Sequence, residues 1–480
     1  MTREAMPVEW AQTVNNLATA YYSRIRGERA ENIEQAIGHY RAALEVMTRE
    51  AMPVEWATTM MNLANAYYPH PWGAGGEHRA GHRALPGGAG GDDPGGDAGG
   101  VGDDDDEPGD RLLSRIRGER AENIEQAIGH YRAALEVRTR EAMPVEWAQT
   151  VNNLATAYYS RIRGERAENI EQAIGHYRAA LEVRTREAMP VEWAQTVNNL
   201  ATAYYSRIRG ERAENIEQAI GHYRAALEVR TREAMPVEWA QTVNNLATAY
   251  YSRIRGERAE NIEQAIGHYR AALEVMTREA MPVEWAQTVN NLATAYYSRI
   301  RGERAENIEQ AIGHYRAALE VMTREAMPVE WAQTVNNLAT AYYSRIRGER
   351  AENIEQAIGH YRAALEVRTR EAMPVEWATT MMNLATAYSD RIRGERAENI
   401  EQAIGHYRAA LEVMTREAMP VEWATTMMNL ANAYSDRIRG ERAENIEQAI
   451  GHYRAALEVR TREAMPVEWA QTVNNLATAY

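Results

Sequence analysis

The sequence has no cysteine, no phenylalanine and no lysine, so each of its 54 basic side chains is an arginine. Without cysteine the chain has no disulfide, no thiolate nucleophile and no cysteine ligand for a metal. It also lacks an apolar run of the roughly 18 residues that a membrane-spanning helix needs. These absences exclude cysteine-based catalysis and predict a soluble, cytoplasmic protein that makes no membrane contact.

Sequence motifs of enzymes are absent as well. The chain contains no glycine-rich phosphate loop, no HExxH motif and no GxSxG motif. Its recurrent glutamates alternate with arginines, as in Glu28, Arg29 and Glu31, which is typical of a solvated, ion-paired surface. We therefore predict that the protein is not an enzyme and that it has no catalytic, cofactor-binding or metal-binding residues.

What the sequence does contain is one unit copied end to end. The string MPVEWA recurs with its tryptophan at positions 10, 56, 147, 193, 239, 285, 331, 377, 423 and 469. Each interval is 46 residues except the one from Trp56 to Trp147. Self-similarity at a period of about 20 to 50 residues is typical of helical and other solenoids. One supersecondary unit therefore defines the fold.

Each unit contains two amphipathic helices, and the first begins at a proline. The ring of Pro7 presets the φ of a first helical turn and pushes the residue before it out of the helical region. From there the apolar positions, at spacings of three and four, are Trp10, Val14, Leu17, Ala18, Tyr21 and Ile25. This pattern predicts helix A over residues 7–25, with Gly27 as its left-handed C-terminal cap.

The second helix has its own stripe. Its apolar positions are Ile33, Ala36, Ile37, Tyr40, Ala43 and Leu44, which predict helix B over residues 30–50. Asn32 and Gln35 either form a capping box or lie just inside the first turn. One helical hairpin cannot bury both stripes, so neighbouring units have to stack. We predict an all-α, right-handed solenoid of antiparallel helix pairs, about nine pairs followed by one unpaired helix.

The unit resembles the tetratricopeptide repeat. The residues that carry the resemblance are Leu17, Ala18 and Tyr21 in helix A and Ala36, Tyr40 and Ala43 in helix B. The unit departs from the common form in its length, which is usually about 34 residues, and in Trp10, which precedes the usual aromatic position. The segments NNLATAY and RGERAENIEQAI are similar to repeats of large bacterial proteins, some of which carry a caspase-like peptidase domain of the CHAT class.

The resemblance implies a concave groove, lined by the A helices, that binds segments of partner proteins. The amides there both donate and accept hydrogen bonds, which suits an extended or helical peptide. Carried onto this sequence, the groove positions are Gln12, Asn15, Thr19, Tyr22, Thr58, Met61, Asn65, Gln149, Asn152, Thr156, Tyr159, Gln195, Asn198, Thr202, Tyr205, Gln241, Asn244, Thr248, Tyr251, Gln287, Asn290, Thr294, Tyr297, Gln333, Asn336, Thr340, Tyr343, Thr379, Met382, Thr386, Ser389, Thr425, Met428, Asn432 and Ser435. Most differences between copies fall on these positions. Either the groove has polar and methionine-lined stretches, or two ancestral repeat types were shuffled.

One segment interrupts the array. Residues 69–113 contain 14 glycines and five prolines and show no helical period. This composition predicts a disordered insert between repeats in residues 1–68 and repeats in residues 114–480, which continue one solenoid. The stretches GHRAL at 81–85 and DDDDE at 103–107 are what repeat codons produce when they are read out of frame. The insert therefore looks like one frame-shifted repeat.

Two groups of residues in the chain invite a metal-site interpretation. The insert contains Asp103 to Asp106 together with His70, His78 and His82, but it lacks the alternating ligands of a calcium loop. A further histidine, His39, recurs in nine units. It is either one of a row of imidazoles that binds metal or senses pH, or a polar residue on the outer face of helix B that was copied with the rest. We favour the outer-face interpretation and predict no metal site.

Three functions remain open. The favoured one is a scaffold that binds other proteins or peptide segments. Nucleic acid is not an expected partner, because the net charge is −14, although the fact that about half of the imbalance lies in the insert weakens this expectation. The second is the regulatory arm of a larger CHAT-type peptidase, and the third is a non-functional product of a frame-shifted gene. Both termini fall inside the repeat array, which predicts a longer parent protein and self-association through uncapped ends.

Overall fold

The computed structural model describes residues 2–24, 26–68 and 120–480, which contain nineteen α-helices and no strand. The helices are α1 (Pro7–Tyr22), α2 (Arg29–Leu44), α3 (Pro53–Tyr67), α4 (Arg120–Leu135), α5 (Pro144–Tyr159), α6 (Arg166–Leu181), α7 (Pro190–Tyr205), α8 (Arg212–Leu227), α9 (Pro236–Tyr251), α10 (Arg258–Leu273), α11 (Pro282–Tyr297), α12 (Arg304–Leu319), α13 (Pro328–Tyr343), α14 (Arg350–Leu365), α15 (Pro374–Ser389), α16 (Arg396–Leu411), α17 (Pro420–Ser435), α18 (Arg442–Leu457) and α19 (Pro466–Ala479). Odd-numbered helices are the A helices of the repeats and even-numbered helices are the B helices.

The chain divides into two compact structural units, each of which contains several repeats. The described residues of the first unit are those up to 284, and the second unit comprises residues 285–480. In the first unit each A helix packs along the B helix that follows it, from α1 with α2 to α9 with α10. In the second unit the same pairing runs from α13 with α14 to α17 with α18, and α19 packs on α18. The consecutive helix pairs confirm the predicted all-α solenoid.

The A helices begin where the sequence predicts and end earlier. Met189, which precedes Pro190, has φ −142° and ψ 64°, outside the helical region, because proline restricts the residue before it. Helix α1 ends at Tyr22, so the predicted end at residue 25 is wrong. Residue 25 lies outside the described residues, but its equivalent Ile162 is 57% exposed in the loop after α5. That isoleucine does not belong to the buried stripe.

The loop from helix A to helix B explains the early end. Gly164 adopts a left-handed φ of +80°, as predicted for this glycine, but it lies in the loop and is not the residue that caps the helix. The Nδ2 of Asn169, which is 2% exposed, donates to the carbonyl oxygens of Arg161 at 3.3 Å and Arg163 at 3.0 Å. Of the two alternatives for this asparagine, the capping box is therefore wrong. This asparagine lies just inside helix α6 and satisfies the loop carbonyls instead.

The B helices are also shorter than predicted. Helix α2 ends at Leu44 and not near residue 50. A turn follows, in which the hydroxyl of Thr48 accepts a hydrogen bond from the backbone N–H of Ala51 at 3.2 Å. The carbonyl of Thr48 accepts another from the N–H of Met52 at 2.9 Å. This turn reverses the chain so that the next proline can start an A helix.

The core contains residues of both predicted stripes, without the isoleucine that follows helix A. Tyr40 is 1% exposed and Ala36 is 0% exposed, which confirms that helix B faces inward on this side. In the first unit, Ala148 and Val151 of α5 pack on Ala180 of α6, with Trp147 beside them. Alanines on both helices let the helix axes approach closely.

The pairing of α3 with α4 continues the first unit past the insert. The hydroxyl of Tyr131 in α4 donates to Asn65 Oδ1 in α3 at 2.6 Å, although the two residues are 66 positions apart. The insert itself, with the aspartates and histidines discussed above, lies outside the described residues. Among the residues that the structure does describe, no helix is long and apolar enough to cross a membrane.

Candidate functional site

The asparagines predicted to line a groove lie where successive A helices meet. In the first unit the hydroxyl of Thr196 in α7 donates to Asn152 Oδ1 in α5 at 3.1 Å. Asn152 and its equivalent Asn198 are each only 1% exposed. The second unit repeats the contact, with Thr380 donating to Asn336 at 3.2 Å. Asn152 and Asn336 therefore connect A helices, and their side chains are buried.

The threonines and tyrosines predicted for the groove also take part in packing. The hydroxyl of Thr156 lies 2.9 Å from the hydroxyl of Tyr177 on the paired B helix. Burial of Tyr177 raises the pKa of its hydroxyl far above the usual value, so it stays protonated. The hydroxyl of Tyr159 lies 2.9 Å from Ser206 Oγ, just after the next A helix. Both positions link neighbouring helices, which the sequence analysis did not foresee.

The glutamines among the predicted groove residues are partly accessible. Gln149, Gln195 and Gln241 are half-buried on the successive helices α5, α7 and α9. Gln149 Nε2 donates to Asn153 Oδ1, one helical turn further on, at 3.1 Å. We call the glutamines and the asparagines four residues after them the amide row. Asn153 was missed by the sequence analysis, although its spacing of four from the glutamine was visible.

Several amide atoms on this side of the A helices make no hydrogen bond with the protein. They are Asn198 Oδ1, Asn199 Nδ2, Gln241 Oε1 and Asn244 Oδ1, and all four atoms are buried. A buried polar atom without a partner costs about 1–3 kcal/mol. These four atoms of the A helices can thus form hydrogen bonds that the protein itself does not supply.

A buried arginine behind the amide row was also missed by the sequence analysis. Arg184, three residues after helix α6, is 1% exposed. Its Nη1 donates to the hydroxyl of Thr196 at 2.9 Å and its Nη2 donates to Gln149 Oε1. Burial lowers the pKa of Arg184 to about 10, and the nearby Glu192 partly opposes this shift. The guanidinium remains charged at neutral pH and fills the cleft between two A helices.

Other copies have methionine at the same position. Met47, Met322 and Met414 are each no more than 2% exposed. Their sulfur accepts a hydrogen bond from the threonine that binds arginine elsewhere, with Thr59 3.5 Å from Met47 Sδ and Thr334 3.4 Å from Met322 Sδ. The exchange of arginine and methionine between otherwise identical copies was the signal in the sequence that marked this position.

A pocket of about 250 Å³ lies beside Met47, between α1 and α3. Three of its lining residues were predicted groove positions, namely Gln12, Asn15 and Thr58. The remaining lining residues are Asn16, Met47, Val54, Glu55 and Thr59. The structure thus brings together predicted groove residues of two successive A helices around a cavity with several hydrogen-bond acceptors and one carboxylate.

The recurrent histidine does not lie on an open outer face, which corrects the sequence interpretation. His176 is half-buried and stacks on Tyr158, with ring centroids 5.4 Å apart and an interplanar angle of 23°. Burial, with the nearby positive charge of Arg132, lowers the pKa of His176. The described residues hold no group of three or more histidine, cysteine, aspartate or glutamate side chains that could bind a metal ion.

The surface charges pair as the sequence predicts. In the first unit the Nε of Arg161 lies 2.7 Å from Glu125 Oε1, and its Nη2 lies 3.0 Å from Glu125 Oε2. This two-pronged contact raises the pKa of Arg161. Glutamate and arginine side chains of neighbouring repeats are thus engaged with one another.

Comparison with known proteins agrees with this architecture. The profile of the tetratricopeptide repeat matches residues 377–413 and 423–463. The matched stretches are near-identical to the other copies along the chain. The matched residues are therefore tetratricopeptide repeats. No curated protein matches it in sequence.

The chain is similar in structure to several solved proteins. One is a signal transduction ATPase with numerous domains (STAND) protein with a tetratricopeptide repeat sensor from Pyrococcus horikoshii, at a TM-score of 0.53 and 12% identity, covering 98% of this chain and 65% of that one. Another is a Rap protein complexed with Competence and Sporulation Factor, at 0.49 and 12%, covering 96% and 99%. A third is the APC/C hetero-tetramer Cut9–Hcn1, at 0.42 and 13%, covering 100% and 96%. The first likeness shows a shared fold.

Proposed function

We propose that the protein is a scaffold that binds a segment of another protein along the amide row of its A helices. Stacked helical repeats present one long binding surface, because each repeat adds the same face to that of its neighbour. In this chain the face carries half-buried glutamines at Gln149, Gln195 and Gln241. The observation that supports the proposal most directly is that these glutamines are partly accessible and that Gln241 Oε1 makes no hydrogen bond with the protein.

The chemistry of the amide row favours the backbone of a peptide as its ligand. An amide side chain donates and accepts, so it can satisfy both the N–H and the C=O of an extended chain. The glutamines and asparagines of the row carry no charge, and therefore hydrogen bonds supply the contact there. We expect the affinity of this part of the surface to depend only weakly on salt concentration.

The test uses a random peptide library displayed on phage and selected against the full chain. The selected peptides are then titrated against the double variant Gln195→Ala/Gln241→Ala and the matched variant Gln172→Ala/Gln264→Ala. The second pair removes the same side chains from exposed positions on B helices. We expect about tenfold or greater loss of affinity for the first variant, because two hydrogen-bonded side chains contribute roughly 1 kcal/mol each. The matched variant should bind like the parent.

Two results contradict the proposal. One is that no peptide is selected, and the other is that both double variants bind the selected peptides equally well. Circular dichroism of each variant shows whether the helices are retained, so that a loss of affinity is not mistaken for unfolding. The tyrosine–threonine contacts that join the helices are untouched by these substitutions.

A second candidate is that the array is the regulatory arm of a larger signalling protein or CHAT-type peptidase. It is favoured by the similarity of NNLATAY and RGERAENIEQAI to repeats of such proteins. The STAND protein of similar fold likewise carries tetratricopeptide repeats as a sensor. Sequencing of the flanking gene tests this candidate. A peptidase domain with its histidine and cysteine in the same reading frame supports it, and stop codons on both sides of the array contradict it.

A further inference from the structure

The cleft between successive A helices has the same design in the copies that carry Arg184 and Arg368. In the first unit the guanidinium of Arg184 bridges Gln149 of the preceding A helix and Thr196 of the following one. In the second unit Arg368 bridges Gln333 and Thr380 in the same way, with 2.9 Å between Arg368 Nη1 and the threonine hydroxyl. The repeat therefore contains a built receptor for a guanidinium group.

The copy with Met47 keeps this receptor but lacks the arginine. Gln12 occupies the position of Gln149, and Thr59 occupies the position of Thr196. Thr59 also donates to Asn15 Oδ1 at 3.1 Å, as Thr196 does to Asn152, so the arrangement of the two A helices is preserved. The sulfur of Met47 lies 3.5 Å from this threonine. A pocket of about 250 Å³ lies between Gln12 and Thr59.

The charge that accompanies the buried arginine is present as well. Glu192 acts on Arg184 and Glu376 acts on Arg368, each raising the pKa of the arginine against the effect of burial. The residue at the equivalent position in the Met47 copy is Glu55, which lines the pocket. The pocket therefore offers a cation the same carboxylate that supports the arginine in other copies.

We infer that the pocket beside Met47 binds a guanidinium group, namely the side chain of an arginine in the partner segment. The guest group lies beside Met47, between the two A helices, where it donates to Gln12 Oε1 and to the hydroxyl of Thr59, close to Glu55. The inference rests on the proposed function only in that the bound segment delivers the arginine. The pocket itself is a property of the repeat.

The geometry favours guanidinium over other cations. Its donors are spread over a planar fork and reach acceptors on both sides of a cleft, whereas an ammonium group is a compact point charge. Arg138 shows that the preceding acceptor can also be a threonine, since its Nη2 donates to Thr58 Oγ1 at 2.9 Å. A neutral urea group of the same shape lacks the attraction to Glu55.

The test uses N-acetylarginine methylamide as the probe and the full chain with ¹³C-labelled methionine methyl groups. The Met47→Leu variant assigns the Met47 signal, and Met52, which packs against the cluster of Ala11, Ala43 and Met47, reports on the pocket when residue 47 is replaced. We expect the probe to shift both signals, at least tenfold more tightly than the citrulline analogue does. In Met47→Leu the Met52 shift should persist. In Met47→Arg it should be lost, because the introduced side chain fills the cleft as Arg184 does.

Two outcomes overturn the inference. One is that arginine and citrulline analogues shift the signals alike or not at all, and the other is that Met47→Arg leaves the Met52 shift unchanged. Because the probe is a small molecule, this experiment needs no partner protein. If the probe fails while selected peptides still require Gln195 and Gln241, only the guanidinium pocket is wrong. If the probe binds while those glutamines prove irrelevant, only the proposed amide row is wrong.

Discussion

Arg184 and Met322 fill the cleft between successive A helices at the same position of the repeat. One side chain is charged and the other is apolar. Both side chains are at most 2% exposed. The arginine is anchored by hydrogen bonds to Gln149 and Thr196, and its Nε makes no hydrogen bond with the protein. The methionine needs only packing and one weak contact with Thr334. The comparison shows that one repeat backbone accepts either a charge held by a polar network or a flexible apolar side chain.

The two clefts should therefore respond differently to mutation. Burying a charge without an ion pair is unfavourable, and removing its hydrogen-bond partners makes it more so. Methionine adapts to irregular space and carries no such penalty. A repeat array need not unfold as one cooperative unit. The difference between the clefts is therefore best measured locally, by native-state amide exchange or a related method.

The largest effect is expected from emptying the arginine cleft. Arg184→Ala should lower the local free energy of opening, measured by amide exchange in α7, by about 2–5 kcal/mol, because it leaves a cavity between two A helices. Arg184→Met should stay within about 1.5 kcal/mol of the parent, because methionine already fills this cleft elsewhere in the chain. Equal losses in the two variants would show that the charge itself, and not the filled volume, stabilises the contact.

The next effect separates the polar network from packing. Thr196→Val removes a hydroxyl that binds both Arg184 and Asn152, so about 1–3 kcal/mol of local opening free energy in α7 should be lost. The matched change, Thr334→Val in the copy with Met322, should cost less than about 1 kcal/mol in α13, since thioethers are weak acceptors. If the amides of α7 and α13 lose the same protection in the two variants, the expected difference between the clefts is wrong.

A pH titration tests whether the side chain in the cleft changes the pKa of the histidine in the same repeat. His176 belongs to a copy with arginine and His406 to a copy with methionine, and burial lowers the pKa of both. Because the folded pKa lies below the unfolded value of about 6.5, the unfolded chain binds more protons as the pH falls below that value. Stability is therefore complete above pH of about 6.5 and declines on acidification, by at most about 1.4 kcal/mol per pH unit for each histidine.

The measurement is the NMR titration of the two imidazole rings, alongside thermal unfolding at several pH values. Both rings should titrate below the usual range, because each is half-buried against a tyrosine of the paired A helix. A normal pKa for His406 together with a low one for His176 would mean that the charge in the cleft, and not burial, sets the shift. Constant stability between pH 7 and pH 5 contradicts the prediction directly.

The smallest effect is expected on the surface, two residues from a buried arginine. Arg370 pairs with Glu412 at 2.6 Å, and the two side chains are 48% and 58% exposed. Glu412→Gln should change local stability by less than about 0.5 kcal/mol, because water and salt screen exposed pairs. A loss as large as that of Arg184→Ala, measured by amide exchange in α16, would place the important charges of the repeat outside the clefts.

Helix pairing could be predicted because its signals are local and recur. The stripe with Tyr40 and Ala36 has the spacing of a helix, and proline marks each start, so the pairs follow from sequence alone. The ends were predicted less well. Asn32 has the sequence pattern of a capping box, yet its side chain binds the carbonyls of Arg24 at 3.4 Å and Arg26 at 3.0 Å. A nearby loop carbonyl is a partner that the local pattern does not reveal.

The candidate site was predicted only in part, for a related reason. Helical spacing places Gln149 and Asn152 on the same side of one A helix, but their burial depends on the next A helix in the stack. There Thr196 covers Asn152, whereas Gln149 remains half-exposed. Some copies have methionine at the position of Arg184. From the sequence alone this difference would be assigned to the surface, because arginine is seldom fully buried.

By itself the sequence determined the repeat, the two helices of each repeat and the apolar stripes on which these helices pack. These features follow from the spacing of residues that are close together in the chain. Only the tertiary structure decided that Arg184 lies in a cleft, that His176 stacks on a tyrosine and that a pocket remains beside Met47. Those outcomes depend on atoms of three different helices meeting at one point. Distances between residues of different repeats are set by stacking, and no local pattern encodes them.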